Sequence, residues 1–168
     1  MTSGGAEACI KIASLFASVL VKANPDADYM QFANDARYRI LDTVGLGLFA
    51  LAENIERTCQ SGGTNFNSIF QTAKPGYDRI IILSDMQGWM EGNTQRAFAD
   101  YAKKSKKVPF LYSFNLSAQG TSMFPERQVC LLSGFSDKIF DVMSRVEQDP
   151  KVLVDEVEKV DLIKGIKK

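Results

Sequence analysis

The chain has 168 residues, with 20 Lys plus Arg balanced by 20 Asp plus Glu, no histidine and a pI near 6.3. That length is enough for one domain with a proper core, and the zero net charge argues against a free-standing nucleic-acid binder, whose phosphate contacts need a basic surface. Without histidine there is no Ser-His-Asp or Cys-His catalysis, no histidine-ligated zinc and no ordinary general base near neutrality.

Cys9, Cys59 and Cys130 are odd in number and far apart. They show no paired metal-ligand spacing and fit a reducing cytoplasm better than a secreted disulfide framework. No apolar run approaches the roughly 18 residues of a membrane span, and no basic-then-apolar leader precedes the first helix. The expected location is therefore the cytoplasm, away from membrane.

In chain order, Ala6 to Ala23 reads as a helix. Glu7, Lys11, Ser14, Ser18 and Lys22 form a narrow polar stripe, and Ile12, Leu15, Phe16, Val19 and Leu20 lie elsewhere, so broad packing is expected. Asn24-Pro25-Asp26 ends it. Asp28 to Phe32 and Ala36 to Leu41 read as a hairpin turned by Asn34-Asp35. In its second strand Ala36, Tyr38 and Ile40 alternate with Arg37, Arg39 and Leu41, the pattern of a half-exposed edge whose arginines resist aggregation.

Leu46 to Cys59 is a second helix, with Leu48, Leu51, Ala52 and Ile55 inward. Ser61-Gly62-Gly63-Thr64-Asn65 comes next as a tight loop in which Gly62-Gly63 permits close backbone approach or positive φ. A short helix runs on through Ile69, Phe70 and Ala73, and Thr64 is in place to cap it.

Arg79-Ile80-Ile81-Ile82-Leu83-Ser84-Asp85 carries four consecutive large apolar residues. Such a run reads as a strand buried on both faces, in the middle of a parallel sheet. Open α/β sheets bind ligands at the carboxyl ends of their strands, which makes Asp85 a candidate ligand group. An aspartate there also serves as a turn or helix cap.

Thr94 to Lys104 is helical, with Thr94 as N-cap. The run Lys103-Lys104-Ser105-Lys106-Lys107 suits the helix macrodipole as well as it suits RNA. Val108 to Leu116 is a strand with Phe110, Tyr112 and Phe114 in alternation, and Gln128 to Leu132 is the last one. Lys138 to Glu147 is a helix with Ile139, Phe140, Val142, Met143 and Val146 at helical spacing. Pro150 opens a final helix through about Val160, where proline suits the first turn. This order predicts an α/β domain over residues 1–160, a doubly wound and mostly parallel sheet with an antiparallel edge and helices on both faces. Residues 161–168 form a basic tail.

Taken in order, the first helix, the hairpin, Gly62-Gly63-Thr64-Asn65 and the strand ending in Ser84-Asp85 resemble the von Willebrand factor A domain. Four stretches are similar to the C-terminal domain of Ro-type (TROVE) ribonucleoproteins. They run from Arg79 to Gln87, from Leu111 to Leu116, from Gly120 to Glu126 and over Gly134-Phe135-Ser136-Asp137. The resemblance implies a divalent-metal adhesion site built from an Asp-x-Ser-x-Ser turn after the first strand, a threonine in a later loop and an aspartate at a strand end. Thr64 matches the second segment and Asp85 the third, and their oxygens suit Mg²⁺ or Mn²⁺.

Met1-Thr2-Ser3-Gly4-Gly5 resembles the residues just past the first of those segments. The domain is therefore expected to be N-terminally truncated, lacking its first strand, with metal held weakly or not at all. The implied function is a non-enzymatic binding module of a Ro-like RNA–protein particle. Its expected partner is a protein or an upstream helical-repeat RNA-binding segment, so RNA is reached only indirectly. Two alternatives stay open. One is a Mg²⁺-dependent hydrolase or phosphotransfer domain using Asp85, with Asp42, Glu91 or Asp137 as second acid. The other is an inactive fragment.

Overall fold

Leu111-Tyr112-Ser113-Phe114 is buried on both faces and forms the middle of a parallel sheet in the computed structural model, which describes residues 3–60, 62–84, 94–116, 129–133 and 138–149. This strand, β4 (Phe110–Asn115), pairs with β3 (Arg79–Ser84) on one side and β5 (Val129–Ser133) on the other. A separate antiparallel hairpin joins β1 (Tyr29–Phe32) to β2 (Ala36–Arg39), with Tyr29 opposite Arg39 and Phe32 opposite Ala36.

The helices are α1 (Ser3–Ala23), α2 (Leu48–Thr58), α3 (Phe66–Thr72), α4 (Thr94–Ser105) and α5 (Lys138–Gln148). The chain divides after Gly134, so α5 belongs to a second unit, in which its apolar residues keep helical spacing as expected. Among the described residues no helix is long and apolar enough to cross a membrane.

Strand side chains alternate between faces, and here each face meets one helical layer. Ala17 and Val21 of α1 cluster with Leu51 and Ile55 of α2, and Tyr29 and Leu83 pack against them. Phe16 lies 5.5 Å from Phe114 on that same face, ring centre to ring centre. On the other face Phe66, Ile69 and Phe70 of α3 and Phe98 and Tyr101 of α4 enclose Ile82 and Leu111, with Met30, Phe32 and Ile80 against the cluster. The α/β class with helices on both faces is thus present.

Several expectations are corrected. The first helix begins earlier, at Ser3, and its stripe holds only in part: Glu7 and Lys11 are exposed, but Ser14 and Ser18 are buried, whereas Ile10, Leu15 and Val19 are more than a third exposed. The second hairpin strand ends at Arg39, so alternation stops there; Ile40 is fully exposed and Leu41 turns inward. Thr94 is a buried helical residue and not the N-cap. Among the described residues β3 is an edge strand, with only Ile82 fully buried, and β4 takes the central place. The expected final helix from Pro150 and the basic tail lie outside the described residues.

Candidate metal-site rim

Contacts at the strand starts fix which end of the sheet is which. Asp28 precedes β1, Tyr77 and Asp78 precede β3, and Lys107 precedes β4. The Tyr77 hydroxyl donates to Asp28 (2.5 Å), Lys107 pairs with Asp78, and the Phe110 N–H donates to the Asp78 carbonyl (2.9 Å). β1, β3 and β4 therefore start at one end and run together toward the other. At that far end lie the Ala33–Asp35 turn and Ser84, whose carbonyl accepts from the Leu116 N–H at 3.0 Å.

Thr64 belongs to this carboxyl-end rim because the hairpin turn holds its loop there. The Asn65 N–H donates to the Ala33 carbonyl (2.8 Å), and Asn65 Nδ2 to the Asn34 carbonyl (3.0 Å). Asn34 Oδ1 in turn accepts from the Gly63 N–H at 2.9 Å. Gly62 has φ +146, and a Cβ there would come within 3.0 Å of Asn34 Nδ2, so only glycine fits both the backbone and the contact. The N-cap position of α3 is Asn65, without a side-chain cap bond, so the capping role expected of Thr64 is not the one it plays. Its side chain is half-buried.

Asp85, Glu91 and Asp137 lie outside the described residues; Asp85 comes directly after Ser84. Asp42 is excluded from the rim because β2 carries the chain back to the strand-start end, where Asp42 Oδ1 accepts the Gly45 N–H (2.7 Å). Asp35, in the rim turn, is taken up by Arg37 Nη2 at 2.6 Å. Among the described residues no group of three or more His, Cys, Asp or Glu side chains is placed to hold a metal. A threonine hydroxyl suits a hard cation, but one hydroxyl is far from the six or more oxygens such an ion takes.

The sequence marks Asn34 only as turn chemistry, and its bracing role has no signal there, since its partner lies 29 residues away. The lysine run sits at the end opposite Thr64. Lys103 pairs with Asp100 (3.9 Å) and Lys107 with Asp78.

The strand-start end carries its own polar network. Asp28 accepts from Tyr77 and from Lys74 Nζ (3.0 Å), Tyr77 shares a 2.9 Å bond with the Tyr38 hydroxyl, and the Lys74 N–H donates to Tyr38 at 2.8 Å. Bonding to Tyr77 and then Lys74 holds the Asp28 carboxyl below the usual carboxylate range. Burial, then the bond to Asp28, pushes the Tyr77 phenol up. Tyr29, half-buried against the α1/α2 cluster, is pushed up to about 12, chiefly by loss of solvent.

No family model matches the sequence, and no curated protein matches it. Among solved structures the chain is similar to the crystal structure of the Deinococcus radiodurans RO (RSR) protein, with a TM-score of 0.61 and 21% sequence identity. The match covers 79% of this chain and 28% of that one, so the chain spans less than a third of that protein's length. At this identity the likeness speaks for the fold.

Proposed function

We propose that the chain is a non-enzymatic binding module of a Ro-like RNA–protein particle, built on a von Willebrand A-type sheet whose metal-adhesion site is incomplete. The observation that carries this reading is Thr64, held at the carboxyl-end rim by the Asn34 brace in a fold similar to that of the RO (RSR) protein. Asp85, directly after Ser84, would add a carboxylate to the Thr64 hydroxyl. Those two side chains would hold Mg²⁺ or Mn²⁺ through oxygen, where the bound cation supplies open positions for a partner's acid. Two protein oxygens make a weak site, which suits a module that meets its partner only when that partner completes the coordination. Its partner is a protein or a helical-repeat RNA-binding segment, and RNA is reached through that partner.

Mn²⁺ titration followed by NMR tests this. Broadening of the Ala33, Asn34 and Thr64 amides is expected only at about 10⁻³ M metal, the range of weak extracellular modules. Replacing Thr64 or Asp85 with alanine should remove it. Micromolar affinity would overturn the incomplete site, and no broadening at millimolar metal would overturn the metal reading altogether.

A further inference from the structure

Exposed apolar side chains scattered singly over a surface need no explanation, but several on one short connection do. Between β2 and α2, at the strand-start end, Ile40 is fully exposed and Val44 is 94% exposed. Phe49, in the first turn of α2, is 74% exposed. The connection is braced from inside. Leu41 and Leu46 pack into the α1/α2 cluster, Lys22 Nζ donates to the Thr43 and Leu46 carbonyls, and Asp42 Oδ1 accepts from the Gly45 N–H. That bracing holds Ile40, Val44 and Phe49 outward. A second apolar pair, Val108 and Phe110, is exposed by a half and by more than a third at the same end, directly after the lysine run.

We propose that this end of the molecule seats the chain on an anionic lipid bilayer, by shallow insertion of Ile40, Val44 and Phe49. The contact is peripheral, since among the described residues no helix is long and apolar enough to cross a membrane. It departs from the expected place away from membrane, and it stands without the metal-site reading, whose rim is at the opposite end. Shape favours a bilayer as the occupant. Side chains this exposed project from the surface, and fluid lipid closes around a projection where a rigid partner would need a matching pocket.

Charge favours anionic lipid. At this end Lys74 is taken up by Asp28, Lys103 by Asp100 and Lys107 by Asp78. Arg39, Lys104 and Lys106 are exposed there, against the exposed Asp26 and against Asp42, which is turned to Gly45. An anionic membrane surface attracts each cation within a Debye length, and that attraction adds to the burial of the apolar side chains. Neither signal is large alone, and together they give reversible binding. Depth is limited by Glu53, exposed one turn beyond Phe49 on α2. That turn is ~6 Å along the helix axis, so entry stops at the boundary of headgroups and acyl chains.

The test is flotation of the full chain with vesicles of equal parts phosphatidylcholine and phosphatidylserine, compared with phosphatidylcholine alone. Binding is expected to the mixed vesicles, weakened about tenfold or more in a Val44→Asp, Phe49→Asp double variant. Each cation removed, in Arg39→Ala or Lys104→Ala, should weaken it about fivefold. Val44 and Phe49 are exposed, so the double variant keeps its fold, which a urea melt checks. In bicelles of the same lipids carrying a spin-labelled acyl chain, the Val44 and Phe49 amides should broaden while those of Asn34 and Thr64 stay sharp. Three results would overturn the proposal. One is no binding to the mixed vesicles, and another is equal binding by the double variant, which would reduce the contact to charge. The third is a concentration-dependent dimer abolished in the double variant, which would assign the loop to a second copy of the chain.

Discussion

Tyr77 ties the hairpin to the connection entering β3, and its partner Asp28 is charged, so the tie should depend on pH in a definite direction. The Asp28 carboxyl is held below its usual range, chiefly by Tyr77. Its contribution is therefore complete above the unfolded value of about 3.9 and disappears as pH falls through the lower folded one. Tyr77 is shifted upward, by burial first, so its contribution is present below about pH 10 and is lost as pH rises beyond it. The Asp28 side chain is 37% exposed, and solvent screening reduces what a charged hydrogen bond would otherwise give. Asp28→Asn should cost about 1 kcal/mol at pH 7 in urea melts, and the gap to the parent should narrow as pH falls below the unfolded value of about 3.9. A gap that persists in acid would show that the bond does not depend on the carboxylate. Tyr77→Phe loses the bonds to both Asp28 and Tyr38, so its loss in the same melts should be at least as large.

At the scale of a helix, α1 shows where periodicity misleads. Its serines keep helical spacing with Glu7 and Lys11 and look like part of a wet stripe. The Ser18 hydroxyl, however, bonds inside its own helix to the Ser14 carbonyl at 2.7 Å. Satisfied in this way, a serine can serve as a small buried residue at a close helix approach. Lys22 continues the stripe but turns inward, its Nζ donating to the Thr43 and Leu46 carbonyls at 2.6 and 2.7 Å. Ser18→Leu, which adds volume at a position with no exposed surface, should cost about 1–3 kcal/mol. Leu15→Ser, on the more open side at 38% exposed, should cost less, about 1 kcal/mol. Urea denaturation of the two variants distinguishes the packed face from the stripe that spacing suggests, which predicts the opposite order.

For the molecule as a whole, the elements were legible because local signals mark them: Asn34-Asp35 for the turn, Ile80 to Leu83 for a strand, helical spacing for α2 and α4. Which strand is central was not legible, since apolar runs report burial on both faces without reporting neighbours, and β4 outranks β3 only through its second partner. At the site, the rim position of Thr64 came from a resemblance. The Asn34 brace and the removal of Asp42 to the far end depend on chain reversals that no local pattern encodes.

The lysine run tests the same limit from the side of charge. Read locally, Lys103 to Lys107 is a basic patch. In the fold, Asp100 and Asp78 meet Lys103 and Lys107, leaving the exposed Lys104 and Lys106 on a molecule of zero net charge. Proteins that hold nucleic acid non-specifically at physiological salt do so with dissociation constants of about 10⁻⁴ to 10⁻⁶ M, through many phosphate contacts. Two lysines give little counterion release. Fluorescence anisotropy with a labelled single-stranded RNA at physiological salt should therefore show binding weaker than about 10⁻⁴ M, unchanged in a Lys104→Ala, Lys106→Ala double variant. Micromolar binding that weakens steeply with salt and disappears in the double variant would make the run an RNA contact in its own right, and the partner would no longer be needed to explain how this chain reaches RNA.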